Sequence, residues 1–192
     1  YQRLEPGPCG RRADQALLQL LSWLPSQGHA LPARRVLFGH SGGAQFAHRF
    51  LLLQPFAVDA AILSSAGWYT WPDDHARFPY GTGRPRNDTS RPVEIESLLK
   101  VPILVTVGEL DDTPDAAMRR RPSLDERQGV SRLDRAGRWV AALRREALLR
   151  QIPGRIEGCV LQGATHAFAS CIGAGLPDQA ARFLGRLPWI WR

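Results

Sequence analysis

Apolar residues gather into four short runs along the 192-residue chain. Val36–Gly39, Val58–Ser64, Val101–Val107 and Ile156–Leu161 are rich in Val, Ile, Leu and Ala and are bounded by glycine, proline or polar turns. Short continuous apolar runs of this kind predict strands buried on both faces. Between them the period lengthens. Ala16, Leu17, Leu20, Leu21 and Leu24 form one apolar face over Asp14–Leu24, which Pro25 ends. Ala44, Ala47, Phe50 and Leu51 do the same over Ala44–Leu53. Leu133, Ala136, Val140, Leu143 and Ala147 predict a long helix over Ser131–Leu149, and Pro177–Leu187 reads as a closing helix. Strand alternating with helix implies right-handed crossovers. The expected fold class is therefore α/β: one domain with a parallel β-sheet and helices on both faces. Each crossover adds a strand beside the last, so the expected strand order is the chain order.

Two stretches lack this periodicity. Trp68–Ser97 holds Pro72, Pro79, Pro85 and Pro92 together with Trp68, Tyr69, Trp71, Phe78 and Tyr80. Its length reads as a cap or lid, and its aromatic residues argue against plain disorder. Trp68, Tyr69 and Trp71 follow a strand end and are candidate substrate-binding residues. Thr113–Gly129 reads as a polar, arginine-rich loop, and Tyr1–Gly10 as an irregular segment.

The chemistry collects at strand ends. In RVLFGHSGGAQFAHR, Arg35–Arg49, an apolar strand runs through a glycine-flanked turn into an amphipathic helix. Ser41 stands at the tip, between Gly39, Gly42 and Gly43, in a Gly-x-Ser-x-Gly pattern. So tight a turn is expected to leave no room for side chains at Gly39 and Gly43. It holds the serine in strained geometry with its hydroxyl outward. The Gly42 N–H would sit at a helix N-terminus, where negative charge is favoured. The third strand runs into Gly108-Glu109-Leu110-Asp111-Asp112 and the fourth into Gly163-Ala164-Thr165-His166. In a doubly wound sheet these carboxyl ends share one edge. A serine hydroxyl is a weak nucleophile until a base takes its proton. His166 can do that near neutral pH, and Asp111 or Asp112 could orient it. The chain order is nucleophile, acid, histidine.

Other features narrow the function. The net charge of +7 is carried by arginines spread along the chain, with Lys100 the single lysine, so no nucleic-acid-binding patch stands out. No run approaches membrane-spanning length, and the start lacks a basic stretch followed by an apolar one. A cytoplasmic location without membrane association is expected, though a leader before Tyr1 stays open. Cys9, Cys159 and Cys171 have no metal-site spacing; a Cys159–Cys171 disulfide stays open. His40 is expected to pack beside the turn, and Asp73-Asp74-His75 to be a solvated cluster rather than a metal site. The oligomeric state is not legible.

From Asp14 onward the chain resembles the α/β-hydrolase superfamily. GHSGG matches its nucleophile elbow, VPILVTVGELD the strand that delivers the acid, and GATHAF the histidine loop. The superfamily's acid stands three residues after the glycine, which favours Asp111 over Asp112. FGHSGGAQFAHRF followed by AGWYTWPD is most similar to bacterial esterases and depolymerase-like hydrolases. The resemblance implies hydrolysis of a small-molecule or polyester-derived ester through an acyl-enzyme, with no cofactor; an amide substrate stays open. Superfamily members carry about four strands before the elbow strand, and a loop there supplies a second oxyanion N–H. Nothing before Arg35 supplies those strands. The expectation is an N-terminally incomplete domain with Gly42 as the visible donor and an open edge on the elbow strand. Ser64–Gly67 is the first place to look for another donor. The alternative from outside catalysis is a weak or inactive hydrolase fold serving as a binding module.

Overall fold

The computed structural model describes residues 4, 10–84, 93 and 95–188. Cys9, Pro85 and Pro92 lie outside the described residues. Four strands, β1 (Val36–His40), β2 (Ala60–Ser64), β3 (Ile103–Gly108) and β4 (Ile156–Leu161), form one sheet in the order β1-β2-β3-β4. All neighbours run parallel, with His40 opposite Ser64, Ser64 opposite Thr106 and Gly108 opposite Leu161. This register brings the carboxyl ends of all four strands to a single sheet edge. The expected fold class and strand order hold.

Strand alternation sorts the core into two layers. Ala61, Leu63, Ile103, Val105 and Val107 face a cluster that includes Leu51 of α2 (Gly42–Leu53), Leu98 of α3 (Ile95–Lys100) and Trp139, Val140 and Leu143 of α5 (Arg132–Leu149). Ala60, Ile62 and Leu104 point the other way, onto Phe183 of α7 (Leu176–Gly185) and Leu187. Every residue of β2 and β3 is buried. The outer strand β1 differs: Val36 is 39% exposed and Phe38 46%.

Two short helices were absent from the sequence reading: α4 (Pro122–Gln128) and α6 (Phe168–Gly173). A third, α3, falls partly inside the stretch expected to be irregular. Each spans two turns or fewer, too little for a 3.6-residue period to register. A different departure concerns α1 (Ala13–Trp23), whose apolar stripe is only half covered: Leu17, Leu21 and Leu24 are half-buried and Leu20 is 47% exposed. Its one buried residue is Asp14, which accepts from Gln54 Nε2 at 3.0 Å and from Arg12.

Of the described residues of the expected cap, 68–84, 93 and 95–97, those at 68–70 and 81–83 are buried in the body, while Asp74, His75 and Arg77 are exposed. The Tyr69 ring stacks on Trp139 with centroids 4.4 Å apart, and Trp68 stacks on Tyr80 at 5.0 Å. Thr70 donates its N–H to His48 Nε2 at 2.9 Å and accepts at its carbonyl from Trp139 Nε1 at 2.9 Å. The Arg49 guanidinium lies 3.9 Å from the Trp68 ring centroid. Cys159 and Cys171 are free thiols packed against Leu161 and its neighbours.

Candidate active site

Ser41 links β1 to α2 with φ 52° and ψ −114°, a left-handed conformation that costs a serine about 1–3 kcal/mol. Its neighbours hold it there. The Ser41 N–H donates to the Ser64 carbonyl at 2.8 Å, and its own carbonyl accepts from Gln45 at 3.1 Å. A Cβ on Gly39 would run into the Gly43 carbonyl. This is a collision with backbone, so the strand and helix can approach this closely only with glycine at 39. The matching expectation for Gly43 is corrected: a Cβ there meets open space. Ser41 makes no capping bond, and Gly42 opens α2, where the first N–H groups have no intrahelical partner.

His166 comes to this turn from the loop after β4. Its Nε2 is 3.1 Å from Ser41 Oγ and its Nδ1 is 2.8 Å from Asp111 Oδ2. An ionised carboxylate can only accept, so Nδ1 carries the proton and Nε2 is left to accept from the serine hydroxyl. Asp111 is 3% exposed, whereas Asp112 is exposed. Of the two candidate acids, the structure brings Asp111 to the histidine. Close backbone packing sets this meeting: a Cβ on Gly108 would strike the Ala164 carbonyl, and Leu110 N–H donates to that same carbonyl at 2.9 Å.

The last residue of β1, next to Ser41, joins them. His40 stacks beside His166 with ring centroids 5.4 Å apart and places its Nε2 3.1 Å from the His166 carbonyl. That carbonyl can only accept, so His40 Nε2 donates and Nδ1 accepts from Ser64 Oγ at 3.0 Å. Burial, and then the neighbouring His166, hold the His40 pKa below the usual histidine value. His40 thus ties the elbow strand to the histidine loop in its neutral form.

The aromatic candidates sit elsewhere. Trp68 and Tyr69 are 3% and 0% exposed, so their expected place on a substrate wall is corrected: Tyr69 packs between His48 of α2 and Trp139 of α5, and Trp68 between Arg49 of α2 and Tyr80. Trp71 does line a cavity of about 560 Å³, with Asp73, Arg127, Glu146 and Arg150. Glu146 is 14 residues along α5 from Arg132, which touches Asp111. At 1.5 Å per residue that is about 21 Å along the helix axis, and neither Ser41, Asp111 nor His166 lines the cavity. Asp73 is taken up by Arg127 at 2.6 Å and by the His75 N–H.

No family model and no curated protein matches the sequence. Solved structures do match. LpqC, a poly(3-hydroxybutyrate) depolymerase from Bordetella parapertussis, is similar with a TM-score of 0.77 and 27% identity, over 98% of this chain and 64% of its own. Poly(aspartic acid) hydrolase-1 from Sphingomonas sp. KT-1 is similar with a TM-score of 0.73 and 26% identity, over 91% of this chain and 64% of its own. By fold the chain groups with the α/β-hydrolases. An S-formylglutathione hydrolase from Agrobacterium tumefaciens shares that fold at 16% identity, with a TM-score of 0.51, over 97% of this chain and 63% of its own. This hydrolase-fold chain therefore spans just under two thirds of the length of these three proteins.

The hydrolase fold also holds residues that the sequence reading missed. Arg132, 2% exposed, donates from Nη1 to Asp111 Oδ1 at 3.1 Å and to Asp115 Oδ2 at 2.9 Å, and from Nη2 to Asp115 Oδ1 at 3.0 Å. A sequence signal did exist. Arg132 is the first residue of α5, where a cation opposes the helix dipole. A residue that breaks a local rule marks a site worth searching. In the loop Ser64–Gly67, the Ser65 N–H is bonded to the Thr106 carbonyl at 2.8 Å, so it is not a spare oxyanion donor.

Proposed function

We propose that the chain is a serine hydrolase of carboxylic esters, with Ser41 as nucleophile, His166 as general base and acid, and Asp111 as the group that orients His166. The observation carrying this reading is the unbroken contact line Ser41 Oγ to His166 Nε2, then His166 Nδ1 to Asp111 Oδ2, at 3.1 and 2.8 Å. Support also comes from the two neighbours above 25% identity, both named as polymer hydrolases. His166 takes the Ser41 proton as Oγ attacks the ester carbonyl. The oxyanion develops beside the Gly42 N–H at the start of α2, where the helix terminus stabilises it. The imidazolium returns the proton to the leaving alkoxide. Water, deprotonated by His166, then attacks the acyl-Ser41, and the cycle closes with acid and free serine. Asp111 stays ionised throughout and stabilises the imidazolium.

The triad chemistry serves esters and amides alike; the substrate in this proposal is an acyl group joined to a good alkoxide leaving group, either a small ester or a fragment of a polyester. Hydrolysis of p-nitrophenyl acetate tests it. The wild-type chain should release p-nitrophenol with a rate that Ser41→Ala lowers at least 10³-fold. Equal rates in the two proteins would remove the proposal. A second reading, a hydrolase fold with weak turnover that serves to bind, is favoured by the open β1 edge beside Ser41 and by Gly42 as the one donor assigned. Loss of one oxyanion donor costs about 2.7–4 kcal/mol in the transition state. That reading predicts Ser41 acylation slowed by about 10²–10³-fold, with turnover slow to match.

A further inference from the structure

Asp111 is held from two directions by α5. Its backbone carbonyl accepts from the Leu133 N–H at 3.1 Å, and its Oδ1 accepts from Arg132 Nη1 at 3.1 Å. The same guanidinium is shared, through two bonds, with Asp115. Arg132 and Asp111 side chains are 3% and 2% exposed, while that of Asp115 is 46% exposed. Two carboxylates thus divide one buried cation. The arrangement has a consequence for His166. A guanidinium paired with Asp111 alone would cancel the charge that stabilises the imidazolium. Asp115 restores one negative charge to the group while keeping Arg132 fixed.

We propose that Arg132 is the positioning residue of Asp111 and that Asp115, by sharing Arg132, sets how strongly Asp111 stabilises protonated His166. This rests on the serine-hydrolase reading for its effect on rate, but the charge coupling itself is independent of turnover. The Arg132 guanidinium holds Asp115 below the usual carboxylate range. Burial would lower the Arg132 pKa, yet the two carboxylates raise it overall. Both therefore stay charged across the working pH range. The groups around His166 are Asp111 and Asp115 after β3, Arg132 on α5, His40 at the end of β1 and Ser41 at the elbow. Cys171 on α6 is the further titratable group nearby, with Sγ 3.5 Å from the Thr165 carbonyl and burial pushing its pKa up.

The two members of the clamp should act with opposite signs. Arg132→Gln leaves two carboxylates uncompensated and favours the imidazolium, so the His166 ring signal should change at higher pH than in wild type. Asp115→Asn leaves Arg132 to Asp111 alone and should move the titration down by a smaller amount, because Asp115 is half exposed. Arg132→Lys keeps the charge and should restore the titration while recovering only part of the rate, since lysine cannot hold two carboxylates in a fixed fork.

The experiment follows the His166 ring nitrogens by NMR against pH in wild type, R132Q, R132K and D115N. In parallel it measures the pH dependence of Ser41 phosphonylation by a fluorophosphonate. Opposite movements in R132Q and D115N, mirrored in the acid limb of labelling, are the expected result. Movement of both in the same direction, or of neither, overturns the proposal. Absence of labelling in the wild type would count against the hydrolase reading alone, since the ring titrations would still read the coupling. If R132Q does not fold, D115N, which alters a partly exposed side chain, decides the sign.

Discussion

The two arms that carry the site are built to different standards. The acid arrives on β3, whose six residues are all buried and which is bonded to a strand on each side. Asp111 is then fastened to the N-terminus of α5 through backbone and side chain. The nucleophile arrives on β1, an outer strand paired on one side, with Val36 and Phe38 turned partly to solvent. Its precision comes instead from local backbone constraint: the left-handed Ser41, the Gly39–Gly43 approach and the His40 tie to the histidine loop. The acid is thus positioned by tertiary packing and the nucleophile by turn geometry.

That contrast can be broken most sharply at Asp111. Asp111→Asn keeps the shape but offers His166 an amide, favouring the wrong tautomer, and should lower kcat about 10⁴-fold. A loss under tenfold, measured on any ester that the wild type turns over, would mean that the acid arm does not act through this carboxylate.

Stability should split along the same line. Trp139→Ala empties the packing beneath the acid arm, removes the Tyr69 stack and leaves the Thr70 carbonyl unpaired. It should cost about 3–5 kcal/mol in urea unfolding. Phe38→Thr on the outer strand removes a half-exposed ring that lies 5.9 Å from Phe168; it should cost less, about 1 kcal/mol, and should reduce self-association, because an exposed apolar edge is a pairing hazard. Equal losses at the two sites would remove the contrast.

The turn itself can be tested with two glycines. Gly39→Ala meets the Gly43 carbonyl and should cost roughly 1–3 kcal/mol while disabling the elbow. Gly43→Ala points into open space on a helix and should be neutral or stabilising by up to about 1 kcal/mol. Thermal melts of both variants check this, and a reversed order would contradict the geometry.

How far the sequence reveals all this depends on the range of the interaction. Strand order and the Ser41 turn were legible because each rests on neighbours in the chain, apolar runs joined by crossovers and a glycine spacing, whereas the residues alone left Asp111 and Asp112 open and the superfamily resemblance favoured Asp111. The buried fate of Trp68 and Tyr69 was not, because it depends on Arg49, His48 and Trp139, distant in sequence. Gly43 was misread for the opposite reason. The motif contains two glycines, and only the backbone path shows which one faces a wall. Arg132 was visible only as an oddity, a cation at the wrong end of a helix. The half-covered stripe of α1 shows the limit of periodicity, which predicts a helix but not its partner.

A further effect is on pH. His48 is fully buried between its bonds to the Ala44 carbonyl and the Thr70 N–H. Burial first, and then Arg49, hold its pKa well below the usual value of 6.5. Below about pH 6.5 the unfolded chain binds a proton there that the folded chain refuses. Stability should therefore fall on acidification by up to roughly 1.4 kcal/mol per pH unit from this residue, until its folded pKa is reached. His40 adds a smaller loss of the same sign. Urea titrations between pH 7 and 5 should show His48→Gln with a flatter slope than wild type; equal slopes would assign the acid sensitivity elsewhere.

The central claim, that Ser41 is a nucleophile activated by His166, is tested most directly by locating the adduct. The folded chain is treated with a fluorophosphonate and digested, and the modified residue is read by mass spectrometry, with His166→Ala alongside. One phosphonyl group on Ser41, formed at least 10³-fold more slowly in the variant, is the predicted result. An adduct on another residue, or one formed on Ser41 equally fast without His166, would contradict the account.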